Sequence, residues 1–173
     1  RFTGRTLFSG MVNAPLVMPE VIMGLSLLLL FVALRFDRGF WTVMIAHTTF
    51  TLSYVAVVVH SRLITFDRSL EEAAQDLGCT PLTAFWRVTF PQSLPGVAAG
   101  ALLCFIPMVG EFVIPDLLGG SSTLMLGKTI WTEFFANRDW PAACAVAIVL
   151  LATLLVPILL FQRQQARALE AGR

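Results

Sequence analysis

Four long apolar runs, about Ala14 to Leu34, Phe40 to Val59, Val97 to Leu118 and Pro141 to Phe161, constrain this chain more than any other feature. A hydrocarbon core about 30 Å thick needs roughly 20 apolar residues in a helix, and each run is long enough. Strands do not fit, because the runs lack period-2 alternation and an outer-membrane barrel needs many segments of about ten residues. With 57 % hydrophobic and 13 % charged residues, the chain lies outside the soluble range of roughly 45 to 50 % apolar and 25 % charged. The pattern predicts an all-α, multi-pass transmembrane helical bundle of four spans, forming one membrane domain over residues 1–173. The first run begins near Leu7, too long for one straight crossing, and Pro15 and Pro19 inside it predict a kink or an interfacial entry.

Basic residues set the expected orientation. The N-terminal stub, the middle loop and the C-terminal tail carry eight: Arg1, Arg5, Arg62, Arg68, Arg87, Arg163, Arg167 and Arg173. The opposite side carries four, Arg35, Arg38, Lys128 and Arg138. This bias predicts that both termini and the middle loop are cytoplasmic. A net charge of +1 argues against nucleic acid as a partner. Cys79 falls in the middle loop and Cys104 and Cys144 fall in spans, so no exported disulfide framework is expected. There is no cleavable signal peptide, and a start at Arg1 without Met suggests a piece of something longer.

The middle loop, about residues 61–91, contains SLEEAAQDLGCTPLTAFWRVTFP from Ser69 to Pro91. Ser69 and Glu72 form an S-x-x-E capping box, Leu70, Ala73, Ala74 and Leu77 recur at helical spacing, and Gly78 stands where a helix ends. Thr80 and Pro81 then read as an N-cap and first-turn proline, Leu82, Phe85 and Trp86 form a second apolar stripe, and Pro91 closes it. Helices this short are marginal alone in water, so the stripes need a surface to bury against. The surface is either the cytoplasmic ends of the chain's own spans or a partner.

The spacing Glu72-Ala73-Ala74, three residues, Gly78, nine residues, Val88, two residues, Pro91 resembles the EAA loop of ATP-binding-cassette importer permeases, with Val88 and Phe90 standing for Ile and Leu. APLVMPEVIMGLSLLLLFVAL from Ala14, YVAVVVHSR from Tyr54, VGEFVIPDLLGG from Val109 and EFFANRDWP from Glu133 resemble the polyamine branch of that family, of the putrescine type. Up to about Pro91 the chain is similar to one of the two sibling permeases of such an importer, and from about Gly96 to the other. The resemblance implies a type I permease fold, normally of six spans, of which this chain has the equivalents of the last four. It implies a coupling helix that docks in a groove of a cytoplasmic ATPase subunit, with the small Ala73 and Ala74 letting the backbone lie close and Glu72 at the entry. It further implies a second permease subunit, sibling or identical, an extracytoplasmic solute-binding protein facing about Asp116 to Asp139, surrounding lipid, a bacterial inner-membrane location, and alternating access.

Acids inside membrane helices are costly, which makes them candidates for function. Glu20 follows Pro19, and Glu111 follows Gly110 between Pro107 and Pro115. Prolines free nearby carbonyls, so acids beside them can line a path for a cation; the alternative is a structural hydrogen bond or an interfacial position. The second run carries Thr42, His47, Thr48, Thr49, Thr51, Ser53 and Tyr54, too polar for a face on lipid. Its hydroxyls are expected to bond carbonyls four residues back or a neighbouring helix. Tyr54 is the exception, since an aromatic face can hold an ammonium. Trp41, Trp131 and Trp140 read as interface anchors.

Ser53 with His47 or His60 suggests a hydrolase pair, but no nucleophile elbow, third acid or HExxH zinc pattern accompanies them. No catalytic residue, metal site or cofactor is assigned. No G-x-x-x-x-G-K-[ST] phosphate loop occurs, so ATP hydrolysis is expected on another chain. An ion-coupled secondary transporter, or a permease for another small organic solute, is the rival reading; an ion-driven carrier has no need of the EAA loop.

Overall fold

The computed structural model describes residues 3–171. Every regular element among them is helical: α1 Arg5–Val17, α2 Glu20–Ala33, α3 Phe40–Ile64, α4 Ser69–Asp76, α5 Pro81–Ala84, α6 Phe90–Gly110, α7 Val113–Leu118, α8 Leu126–Trp131 and α9 Trp140–Ala171, with π turns at Phe85–Thr89 and Thr132–Ala136. Arg1 and Arg173, counted in the charge bias, lie outside the described residues.

Three helices are long and apolar enough to cross a membrane alone: Phe40–Ile64, Pro81–Gly110 and Trp140–Gln164. The first expected span carries the bend that its prolines predict. It is two helices, α1 and α2, bent by 112°, and they supply a fourth crossing only together. Met18 precedes a proline, whose ring disfavours the helical conformation there, and Met18 is extended at φ −78°, ψ 132°. Pro15, one turn earlier, stays inside α1. At 14 residues, α2 is only about 21 Å long, short of the hydrocarbon core.

The third span also differs from expectation. It starts at Pro81 and stops at Gly110, and Val113–Leu118 is a separate short helix after an extended Glu111 at ψ 146°. Pro91 does not close the second loop helix, which continues into the span through the π turn. There Phe90 N–H bonds the Phe85 carbonyl five residues back. That longer step re-registers the ladder just before Pro91, which has no N–H to give.

In the middle loop, α4 begins without the expected capping box. Arg68 is its N-cap residue and makes no side-chain cap bond, while Asp67 Oδ1 accepts the Ser69 N–H at 2.9 Å. That hydrogen bond holds the Asp67 carboxyl below the usual carboxylate range. The C-terminal end is as expected. Gly78 has φ +88°, Cys79 N–H bonds Ala74 O at 3.1 Å, and Gly78 N–H bonds Gln75 O at 2.9 Å. This is a Schellman closure, and its left-handed residue is the one position where glycine carries no steric cost. Thr80 accepts the Thr83 N–H, with Pro81 next, as its N-cap spacing predicts.

Packing centres on α3. Gly96 and Gly100 of α6 face it, and a Cβ on Gly96 would stand 3.0 Å from Arg62 Cβ. Small residues let two membrane helices approach where lipid supplies no hydrophobic drive. Phe31, Val43, Ala46, Ile114 and Leu118 form a buried core joining α2, α3 and α7. Its polar tie is Thr42, fully buried, whose Oγ1 donates to Leu118 O at 2.7 Å while Gly39 N–H bonds the same carbonyl at 2.9 Å. None of the best apolar window of α9 is buried within the chain, although the helix packs against α8 and α6 and buries Ala143.

Thr42→Val keeps the shape but removes the hydroxyl's bond to the Leu118 carbonyl, which keeps its bond from Gly39 N–H, a loss of about 1 kcal/mol. The thermal unfolding midpoint in detergent is expected to drop by several degrees, with Thr42→Ser much closer to wild type; an unchanged midpoint for Thr42→Val removes this tie from the account.

Candidate functional site

The end of α6 is built to stop. Glu111 leaves the helix, and its carboxylate turns back to serve the next one: Oε1 accepts the Ile114 N–H at 2.9 Å, filling a first-turn donor of α7 that has no helical partner. Its other oxygen, Oε2, lies 2.8 Å from His47 Nε2 of α3. The Glu111 side chain is only 5 % exposed and that of His47 17 %. Gly127 of α8 presses on the same break, where any Cβ would overlap the carbonyl oxygens of Gly110 and Glu111. A broken helix survives at membrane depth only when its freed groups are satisfied or line a cavity; here Glu111 serves the Ile114 N–H and the end of α6 lines a cavity.

The cavity is about 570 Å³ and is walled by α2, α3, the last turns of α6 and the break. Glu20, the first residue of α2 after the bend, lines this cavity together with Glu111. Tyr54 and Phe50 line the opposite stretch with ring centroids 5.1 Å apart, and Leu103, Ile106 and Pro107 supply apolar wall. The three residues singled out as a path, Glu20, Tyr54 and Glu111, thus meet in one chamber though 91 positions separate the first from the last. Two acids at one end and an aromatic face along the wall suit an elongated organic cation: carboxylates accept from an ammonium, and the ring quadrupole attracts it.

His47, the partner of Glu111, is the residue that sequence reasoning did not assign to the site. A signal was available, since His47, Thr51 and Tyr54 fall at i, i+4 and i+7 and so share one face of α3. The hydroxyls behave as expected, with Thr48, Thr49 and Thr51 each donating to the carbonyl four residues back at 2.8 Å. Ser53 departs from this: its oxygen is buried with no hydrogen-bond partner among the described residues. Among those residues no cluster of three His, Cys, Asp or Glu is arranged to hold a metal ion.

A second surface lies at the other end of the same helix. Glu72 and Ala73 are exposed on α4, Ala74 is half-buried, and Gly78 is exposed at its C-terminal closure. Leu77, Leu82 and Trp86 stay exposed at 87 %, 69 % and 56 %, so the stripes are not buried on the chain's own spans. Glu71 is the contact back to the span, through the Thr89 hydroxyl at 3.4 Å. Pro91 lies exposed in the first turn of α6.

Comparisons with known proteins agree with this architecture. The chain is 47 % identical over 139 residues to the putrescine transport system permease protein PotI of Escherichia coli K12, covering 77 % of this chain and 50 % of that protein. It is 35 % identical over 162 residues to the spermidine/putrescine transport system permease protein PotC of the same organism, covering 94 % of this chain and 61 % of that one. The PotI match is longer than either side of the Pro91–Gly96 junction and therefore crosses it. The chain spans about half to three fifths of the length of these relatives. Among solved structures, the MetNI methionine ABC transporter superposes with a TM-score of 0.77 at 20 % identity, covering 93 % of this chain and 74 % of that chain. A bacterial ABC transporter that imports the acidic polysaccharide alginate gives 0.75 at 16 % identity, over 96 % and 68 % of the two chains. Residues 1–168 match the model of the binding-protein-dependent transport system inner membrane component, and the chain belongs to that family.

Proposed function

We propose that this chain works as a permease subunit of an ATP-binding-cassette importer that moves a small organic cation, of the polyamine class and putrescine-like, into the cytoplasm by alternating access. The observation that carries the cargo reading is the convergence of Glu20, Glu111 and Tyr54 on one cavity at the broken end of α6. Fold alone is neutral on cargo, since the same architecture serves methionine and an acidic polysaccharide in its solved neighbours. The similar permeases belong to putrescine and spermidine/putrescine transport systems, which points the same way as the acids.

In this reading the cytoplasmic ATPase subunit docks on α4, with Ala73 and Ala74 admitting a close approach, Glu72 at the rim and Gly78 holding the helix end. Hydrolysis occurs on that separate subunit. A second permease covers the lateral surface left by α9, lipid covers the remainder, and a cargo-loaded binding protein meets the segment from Asp116 to Asp139 from outside. ATP binding draws the ATPase subunits together, α4 moves with them, and the cavity changes the side on which it opens. Both termini and α4 lie on the cytoplasmic side, following the bias in basic residues.

Three outcomes test this. Glu72→Lys and Gly78→Asp are each expected to reduce copurification of the ATPase at least fivefold while the membrane part stays folded; equal recovery over a concentration series excludes docking on α4. With Cys104 and Cys144 replaced, Cys79 should react with a membrane-impermeant thiol reagent only in inside-out vesicles, and a cysteine substituted for Ser122 only in right-side-out ones; the reverse pattern inverts the topology. Glu111→Gln in the complete importer should slow polyamine uptake about tenfold or more, the scale of losing one charge-assisted contact, with basal ATPase activity retained. Wild-type uptake by that variant across cargo concentrations makes Glu111 structural.

A further inference from the structure

Two cavities adjoin along the groove between α1 and α3, away from the Glu111 chamber. The first, about 380 Å³, has Arg5, Ser9 and His60 in its lining. The second, about 480 Å³, is lined by Met11, Pro15, Met44, Ile45 and Leu52, and the two share Phe8 and Val12. The second offers an occupant no free polar group, because Thr48 and Thr49 spend their hydroxyls on the Met44 and Ile45 carbonyls and Ser53 is fully buried. Its apolar wall is nonetheless open, with Met11 68 % and Leu52 53 % exposed within the chain. A cationic mouth leading into an apolar trough has the polarity of a lipid. We infer that this groove binds one anionic glycerophospholipid, its phosphate among Arg5, Ser9 and His60 and an acyl chain along the second cavity.

Charge and length both fit that occupant. Arg5 pairs with no acid among the described residues, and no described Asp or Glu lines either cavity. Asn13 Nδ2 donates to Ser9 O at 2.7 Å and to Ser9 Oγ at 3.2 Å, which leaves the Ser9 hydroxyl proton for an incoming acceptor. A guanidinium fork, a hydroxyl and an imidazole N–H are donors to the oxygens of a phosphodiester. The same set holds nothing for the ammonium of a zwitterionic headgroup, so phosphatidylglycerol is favoured over phosphatidylethanolamine. His60 lies four residues before the end of α3 at Ile64 and Arg5 opens α1, which puts the mouth at the end of the span next to the middle loop. From His60 back to Met44 is 16 positions of α3, about 24 Å. One leaflet with its headgroups is roughly 20 to 22 Å, half of a bilayer's 40 to 45 Å. The groove is thus as long as one lipid in one leaflet, and basic pockets between membrane helices are where anionic headgroups settle. Neither Glu111 nor its cavity takes part, so this site stands or falls apart from the cargo path.

The test uses the full-length permease in the complete importer, delipidated in detergent and titrated with phosphatidylglycerol or phosphatidylethanolamine while native mass spectrometry counts the lipid retained. Wild type is expected to prefer phosphatidylglycerol by about fivefold or more, the scale of one basic residue acting on an anionic headgroup. Arg5→Gln should bring that preference close to unity. Leu52→Trp, which fills the trough and leaves the mouth intact, should also reduce retention. Glycerol phosphate at millimolar concentration should not displace the lipid; displacement would make this a site for a soluble phosphate and overturn the inference. Equal retention of the two lipids by wild type, or an unchanged preference in Arg5→Gln, overturns it as well. A wild-type arm decides if either variant fails to assemble: phosphatidylglycerol with a photoreactive group in its acyl chain should label peptides holding residues 11–15 and 44–52. Labelling confined to other surfaces would show that another part of the complex fills the groove, and the lipid site falls.

Discussion

A single buried carboxylate organises the membrane end of this structure. Within a bilayer, a backbone group freed by a helix break finds no water, so a break must bring its own partners. Glu111 does so by giving one oxygen to the Ile114 N–H and the other to His47. The first contact starts α7, whose Ile114 and Leu118 complete the core with Phe31, Val43 and Ala46. The Leu118 carbonyl then anchors Gly39 and Thr42 at the head of α3. Remove the carboxylate's role at the break and the rest of that chain of contacts has no starting point.

The same helix that ends at Glu111 begins in the middle loop. Pro81 to Gly110 is continuous over 30 residues, about 45 Å, and its first turns carry the exposed apolar stripe beside α4. In the proposed importer this rod joins the ATPase contact to the cargo cavity, so that movement at α4 reaches the cavity through one rigid element. The π turn at Phe85–Thr89 marks where its geometry departs from a regular helix, and Glu71 to Thr89 ties α4 to that turn. Energetic coupling requires such an element with two arrangements, which a second state of the complete importer would display.

How much of this the sequence carried depended on range. Hydropathy marked the spans, because twenty apolar residues have few other uses, and Pro19 marked a bend because a proline constrains the residue before it. The bend's 112° was not legible, since it depends on what α1 and α2 pack against. The third span read on to Leu118 because apolarity persists past Glu111. The stop there depends on a hydrogen bond to a histidine 64 positions away, which no local pattern contains. Likewise, a charged residue in an apolar run is conspicuous, so Glu20 and Glu111 stood out, whereas His47 was one polar residue among several on α3. At α4 a local alternative won: Asp67 captured the Ser69 N–H, and the helix began one residue earlier than the Ser69–Glu72 box implied.

The central claim is that the Glu111 chamber receives the cargo's ammonium. The most direct measurement is a high-resolution structure of the complete importer trapped with a diammonium cargo in transit. The account predicts an ammonium within about 3 Å of the Glu111 carboxylate and the cargo's chain along Tyr54. Cargo density elsewhere in the subunit would contradict it.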